Sequence, residues 1–161
     1  RAPQWSVSPQ TPWVDTVLSE YGYLYDSSRI PLCFIGDASA TGLPFRITTA
    51  HGQLWEIPPL VTRTPLVNLP TGGGWGFRTF PLSLIAATIM RYQQAAAPAV
   101  LYLHPREVDP AGPRLKLSLF KRFLSYGTRS DATPRLISLL QRFQFTTVKD
   151  IIRTWQTQTV S

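Results

Sequence analysis

Residues 81–104 read PLSLIAATIMRYQQAAAPAVLYLH, and their hydrophobic pattern changes halfway from that of a helix to that of a strand. In residues 81–94, apolar side chains recur at the i, i+3, i+4, i+7 spacing of a core-facing helix: Leu82, Ile85, Ala86 and Ile89. Residues 99–103 form an almost unbroken apolar run, which is typical of a strand buried on both faces of a parallel sheet. A helix, a short loop and a buried strand in this order predict an α/β fold.

Shorter patterns predict the other elements. Amphipathic spacing predicts helices over residues 11–21, 117–126, 135–143 and 148–155, with Trp13, Val17 and Tyr21 on the apolar side of the first. Clusters of β-branched and aromatic residues predict short strands over residues 23–25, 53–57, 62–66 and 145–147. Residues 29–46 are expected to form a long surface connection. The glycine-rich stretch 70–76 predicts a loop pressed against a ligand or another backbone.

Composition and charge limit the classes of protein that fit this chain. The 161 residues are 43% hydrophobic and 16% charged, as expected for one globular domain or part of one. The net charge is +7, but the basic residues occur singly, so we interpret most of them as solvated helix faces. An anionic glycan is a more suitable partner than nucleic acid, and no apolar run is long enough to span a membrane. The single cysteine excludes an internal disulfide and a thiolate zinc site.

His104 follows the predicted strand 99–103 directly. Catalytic residues of α/β barrels and open α/β sheets lie at this end of the strands, and histidine is the usual proton donor or acceptor in hydrolysis. A histidine that only caps the strand through hydrogen bonds is the structural alternative. The second histidine, His51, lies in a predicted turn without a second ligand nearby, so a surface role is expected.

The order of several short motifs resembles that of one enzyme family. Arg1-Ala2-Pro3 is followed by the glycine-rich stretch and then by Tyr102-Leu103-His104-Pro105. The first and last of these are similar to the third and fifth motifs of polysaccharide deacetylases of carbohydrate esterase family four, which have the NodB-homology fold. Residues 54–58, 69–74 and 105–110 resemble signatures of a bacterial subgroup associated with exopolysaccharide biosynthesis, whose members carry a C-terminal extension.

The resemblance implies a fold, a reaction and a cofactor. It implies the C-terminal part of a distorted (β/α) barrel, with residues 1–105 in the barrel and residues 106–161 in the extension. The implied reaction is hydrolysis of N-acetyl groups on a polysaccharide, assisted by a divalent metal such as zinc. The metal ligands of the family precede the arginine motif, so no residue of this chain is expected to bind the metal. The metal-binding half would come from residues outside this chain, in the cytoplasm or the periplasm, and the chain alone is expected to be inactive.

The resemblance also implies a role for five residues. His104 would be the general acid that protonates the leaving amine. Arg1 would orient a base carboxylate that lies outside this chain. The backbone N–H of Gln4 would stabilise the oxyanion. Tyr102 would line the acetyl pocket, because strand alternation places it on the same side as His104. Trp75 is a candidate for stacking on a sugar ring or for core packing.

Three points stay open at the level of the sequence. Glu56, Glu107 and Asp109 are all candidates for the carboxylate that supports His104. A non-catalytic glycan-binding protein on the same fold would explain the same motifs. So would an exopolysaccharide-assembly module that docks on other proteins through residues 106–153.

Overall fold

The computed structural model describes residues 1–109, 111–127 and 131–158. Over these ranges the chain is a mixed α/β protein with two small sheets and no closed barrel. The helices within them are α1 (Trp13–Glu20), α2 (Gly74–Thr79), α3 (Leu82–Gln94), α4 (Pro105–Val108), α5 (Leu119–Tyr126), α6 (Thr133–Arg142) and α7 (Val148–Gln158). The strands are β1 (Tyr25–Asp26), β2 (Phe45–Thr49), β3 (Gly52–Glu56), β4 (Thr62–Arg63) and β5 (Asn68–Leu69), and a 3-10 turn covers Pro3–Trp5.

The larger sheet has the strand order β1-β3-β2. β1 is parallel to β3, with Asp26 opposite Glu56, whereas β2 and β3 form an antiparallel hairpin. The strand predicted over residues 53–57 is confirmed within one residue as β3. β2 was not predicted, because glycines and prolines before it hide the alternation of its side chains. The smaller sheet pairs only β4 with β5, so the strand predicted over residues 62–66 ends early.

The prediction of a strand buried on both faces over residues 99–103 is wrong. These residues are half-buried and form two isolated parallel bridges, Pro59 with Val100 and Gly73 with Tyr102. The neighbouring segments contain Pro58, Pro59 and Pro70, which lack the N–H that a continuous ladder needs. Residues 145–147, also predicted as a strand, have no strand partner among the described residues.

The main core forms around α3, whose prediction is confirmed. Ile85, Ala86 and Ile89 are buried there as predicted, together with Phe77 of α2 and Leu139 of α6. Full burial of a side chain such as Ile85 stabilises the fold by about 1.5–3 kcal/mol. α3 and α6 therefore form the base on which the segment 99–103 and α2 lie.

Several arginines are structural and do not fit the interpretation as solvated helix faces. Arg78 of α2 is 1% exposed and donates hydrogen bonds of 2.7 Å each to the carbonyls of Leu124 and Gly127. Arg135 of α6 donates to the carbonyls of Phe77 and Phe80 at the end of α2. The carbonyls near helix ends lack partners within their own helix, and the planar guanidinium group satisfies two of them at once. These contacts fasten α5 and α6 to α2.

α1 also differs from its prediction, because its polar side faces the sheet. Asp15 and Ser19 are buried, while Trp13 is 63% and Tyr21 76% exposed. The Ser19 hydroxyl accepts a 2.8 Å hydrogen bond from Thr49 of β2, so the sheet edge offers polar partners to this helix. Among the helices of the described residues, none is long and apolar enough to cross a bilayer.

Candidate functional site

One cleft of about 480 Å³ contains all five residues for which the sequence predicted a role. These residues are Arg1, Gln4, Trp75, Tyr102 and His104. The cleft lies between the N-terminal turn, the glycine-rich stretch and the end of the segment 99–104, and α5 closes one side with Leu124 and Ser125. The fold thus brings together side chains that are up to 103 positions apart in the sequence.

The glycine-rich stretch meets the segment that carries Tyr102 at very short range. The Tyr102 N–H donates a 2.8 Å hydrogen bond to the carbonyl of Gly72. A Cβ atom on Gly73 would overlap the Tyr102 carbonyl oxygen and lie 2.8 Å from its ring carbons. Gly74 has φ +54° and starts α2. Of the two predicted alternatives, a ligand or another backbone, the glycines therefore serve the approach of another backbone.

Glu107 is the carboxylate beside His104, which the sequence left open. One oxygen of Glu107 accepts a 2.8 Å hydrogen bond from the His104 N–H, as in a capping box. The other oxygen, Oε1, lies 3.5 Å from His104 Nδ1 and 3.9 Å from Arg78 Nε. Glu107 is buried, whereas the His104 side chain is 46% exposed and opens into the cleft. Glu56 is occupied elsewhere, and Asp109 is exposed.

Arg1 and Tyr102 form the opposite wall of the cleft. The Arg1 guanidinium donates to the carbonyl and hydroxyl oxygens of Ser27, at 2.7 and 2.6 Å. Its central carbon lies 4.5 Å from the centre of the Tyr102 ring, which is a cation–π contact. Burial raises the pKa of Tyr102, so its hydroxyl stays neutral at physiological pH. The ring also packs edge-on against Trp5 and His104.

The N-terminal turn is held in an unusual conformation. Gln4 and Trp5 have φ values of +55° and +48°, in the left-handed region that non-glycine residues rarely occupy. The Ala2 N–H donates a 2.6 Å hydrogen bond to the Ser28 hydroxyl, which donates in turn to Asp26 at 2.7 Å. Strained backbone of this kind concentrates at functional sites, where surrounding contacts maintain it.

A buried polar cluster supports Ser28 from below, and the sequence gave no sign of it. Glu56 accepts 3.0 Å hydrogen bonds from the backbone amides of Ser28 and Arg29, and Arg29 also bridges Glu56 and Asp15. Burial raises the pKa of Glu56 to about 7, with a further contribution from Asp26, against the opposing effect of Arg29. The cluster links α1, β1 and β3 beneath the N-terminal turn.

Trp75 serves both of its predicted alternatives at once. It lies on α2 and not in a loop, since the helix begins at Gly74. Its ring packs edge-on against Phe80 and Phe123, with centroids 5.6 and 6.4 Å away. It is half-buried and lines the cleft. Packing on two phenylalanines fixes the ring that borders the opening.

The residues present do not fit a metal ion. No group of three or more His, Cys, Asp or Glu side chains is close enough to hold one in the part of the chain that the structure describes. His51 is exposed in the turn between β2 and β3. His104 and Glu107 are therefore a pair suited to proton transfer and orientation.

A comparison with family models places the chain in a family. A model described as a domain of unknown function (DUF3473) matches residues 27–153, which is well over half of the chain. The chain belongs to this family. No curated protein and no solved structure matches it. The DUF3473 match includes Trp75, Tyr102, His104 and Glu107, whereas Arg1 and Gln4 precede it. It also runs across residue 105, where the boundary between barrel and extension stays a prediction.

Proposed function

We propose that this DUF3473 chain forms part of the active site of a bacterial polysaccharide deacetylase, which hydrolyses N-acetyl groups during exopolysaccharide biosynthesis. The observation that supports the proposal is the convergence of Arg1, Gln4, Trp75, Tyr102 and His104 on one cleft. These residues were selected from the sequence by resemblance alone, and they come from three separate parts of the chain. The same proposal includes the NodB-type distorted (β/α) barrel.

In this proposal His104 gives the proton that allows the C–N bond to break. An amine leaves an acetamide only when its nitrogen is protonated, because expulsion of an amine anion is prohibitive. Glu107 lies behind Nδ1, so it orients the ring and leaves Nε2 to give its proton to a bound sugar. The buried carboxylate and the exposed imidazole thus divide the work of positioning and proton transfer.

The other cleft residues bind and orient the substrate. Tyr102 would contact the acetyl group, and the Trp75 ring would stack on a sugar of the chain. The backbone N–H of Gln4 would donate to the oxyanion, which its left-handed conformation presents to the cleft. Arg1 would orient a carboxylate base from outside this chain, with Ser27 fixing its guanidinium.

The proposal requires metal ligands from outside the chain. A divalent metal such as zinc would polarise the acetyl carbonyl and activate water. Its ligands, an Asp and two His, would be supplied by other residues of the intact protein or by a separate chain. We expect the chain alone to release no acetate from an N-acetylated polysaccharide, even with added zinc.

The test is acetate release by the protein completed with its metal-binding part. We expect His104→Ala to lower the rate about 10²–10⁴-fold, the contribution of a positioned general acid. His51→Ala is the matched control, because this histidine is exposed in a distant turn and should leave the rate unchanged. An undiminished rate in His104→Ala would reject the assignment.

The aromatic lining of the cleft favours a second candidate, a non-catalytic glycan-binding protein. Trp5, Phe34, Trp75 and Tyr102 all line the cleft, and aromatic faces bind sugar rings without any chemistry. In that case Trp75→Ala would weaken binding of an N-acetylated oligosaccharide, followed by tryptophan fluorescence, and the completed protein would release no acetate. An upstream sequence without an Asp and a His-x-x-x-His pair would also favour this function.

A further inference from the structure

α5 carries large apolar side chains that the rest of the described chain does not cover. The exposed fractions are 85% for Leu119, 71% for Phe120 and 46% for Phe123, and no residue of α5 is buried. Leu115, just before the helix, is 72% exposed. An amphipathic helix of a globular domain normally buries such residues in the core. We call Leu115, Leu119, Phe120 and Phe123 the α5 ridge.

Basic residues surround the α5 ridge. Arg114, Lys116, Lys121 and Arg122 all lie within residues 111–127, a stretch that contains no acidic residue. None of the four forms an ion pair with a residue that the structure describes. Lys121 and Arg122 are exposed on the helix itself. The ridge is therefore an apolar surface bordered by uncompensated positive charge.

The other exposed apolar helix face of the chain has the opposite electrostatic setting. On α1, Trp13 and Tyr21 are as exposed as the residues of the α5 ridge. Their helix carries Asp15 and Glu20, and residues 11–25 include no Lys or Arg. Exposure alone thus does not distinguish the two faces, whereas charge does.

We propose that the α5 ridge binds the surface of a bilayer that contains anionic lipids. A helix with leucine and phenylalanine on one side and lysine and arginine beside them lies in the headgroup region, where apolar burial and attraction to anionic lipids act together. Leu124 and Ser125 of α5 line the cleft, and Phe123 contacts Trp75. Binding would therefore hold the cleft at the membrane surface. The inference does not depend on the proposed deacetylase activity.

Cosedimentation of the protein with vesicles tests the proposal. The probes are phosphatidylcholine vesicles with and without phosphatidylglycerol. We expect binding to the anionic vesicles, weakened at least about 100-fold by Leu119→Glu with Phe120→Glu, since two large apolar contacts are lost. Charge reversal at Lys121 and Arg122 should weaken binding about 25-fold or more, at about fivefold for each basic residue.

The matched control for the ridge is the double variant Trp13→Glu, Tyr21→Glu on α1, which should leave vesicle binding unchanged. For the charges it is Arg91→Glu with Lys149→Glu, two exposed residues on other helices. Far-UV circular dichroism checks that each variant is folded. Absence of binding to anionic vesicles, or equal losses in ridge and control variants, would overturn the proposal. Loss of self-association in Leu119→Glu, Phe120→Glu with vesicle binding unchanged would assign the ridge to a second copy and also overturn it.

Discussion

Replacement of Gly73 by alanine tests whether close backbone contact shapes the cleft. Gly73 has an extended backbone with φ 167°, so alanine meets no conformational strain there. The added Cβ would overlap the Tyr102 carbonyl oxygen, so one of the two segments must move by about 1 Å. The movement breaks the 2.8 Å hydrogen bond from the Tyr102 N–H to Gly72. Over-packing costs about 1–3 kcal/mol and the lost hydrogen bond about 1 kcal/mol.

The expected loss for Gly73→Ala is therefore about 2–4 kcal/mol in the free energy of unfolding, measured by urea titration. For a chain of this size it corresponds to a fall in Tm of about 10 °C. Gly22→Ala is the control, because nothing lies within 4 Å of its Cβ position and only its φ of +74° costs free energy, about 1 kcal/mol. A loss at Gly73 no larger than that at Gly22 would refute the reasoning.

Three further changes test the buried charges. Glu107→Ala should cost about 3–5 kcal/mol in the free energy of unfolding, because it leaves Arg78 without the carboxylate beside it, whereas Asp109→Ala at an exposed position should change it by less than about 0.5 kcal/mol. Arg78→Met should also cost about 3–5 kcal/mol by leaving Glu107 and two carbonyls without their donor, whereas Arg91→Met on an exposed helix face should be nearly neutral in thermal unfolding. Burial raises the pKa of Glu56 from 4.5 to about 7, so between these pH values the folded protein keeps a proton that the unfolded chain has lost. Its stability should therefore fall as the pH rises through this window, by about 3 kcal/mol, and Glu56→Gln should remove that fall in urea titrations at several pH values.

Local pattern was sufficient for some elements and insufficient for others. α3 could be predicted because its apolar residues repeat with the helical period and face a single core. α1 follows the same rule in its sequence, yet it buries Asp15 and Ser19, because the sheet edge beneath it offers Arg29 and Thr49 as polar partners. Such partners lie far away in the chain, and no window of residues contains them.

The candidate site shows the same division. Its five residues could be selected from motif order, and the approach of another backbone could be inferred from three adjacent glycines. The carboxylate next to His104 could not be chosen among three candidates, although the three-residue spacing to Glu107 is the signature of a capping box. The exposure of the α5 ridge could not be predicted either, since an amphipathic pattern does not say whether a partner for its apolar side lies within the same chain.

The attachment of residues 99–103 at two points has an evolutionary consequence. Leu60 and Gly72 each form one backbone hydrogen bond with this segment, at Val100 and Tyr102, and no further ladder continues from them. A side chain exchanged on such a segment alters the depth of the cavity without breaking a sheet. Related proteins could therefore acquire different ligand preferences at position 102 through single replacements, while the hydrophobic interior beneath remains the same.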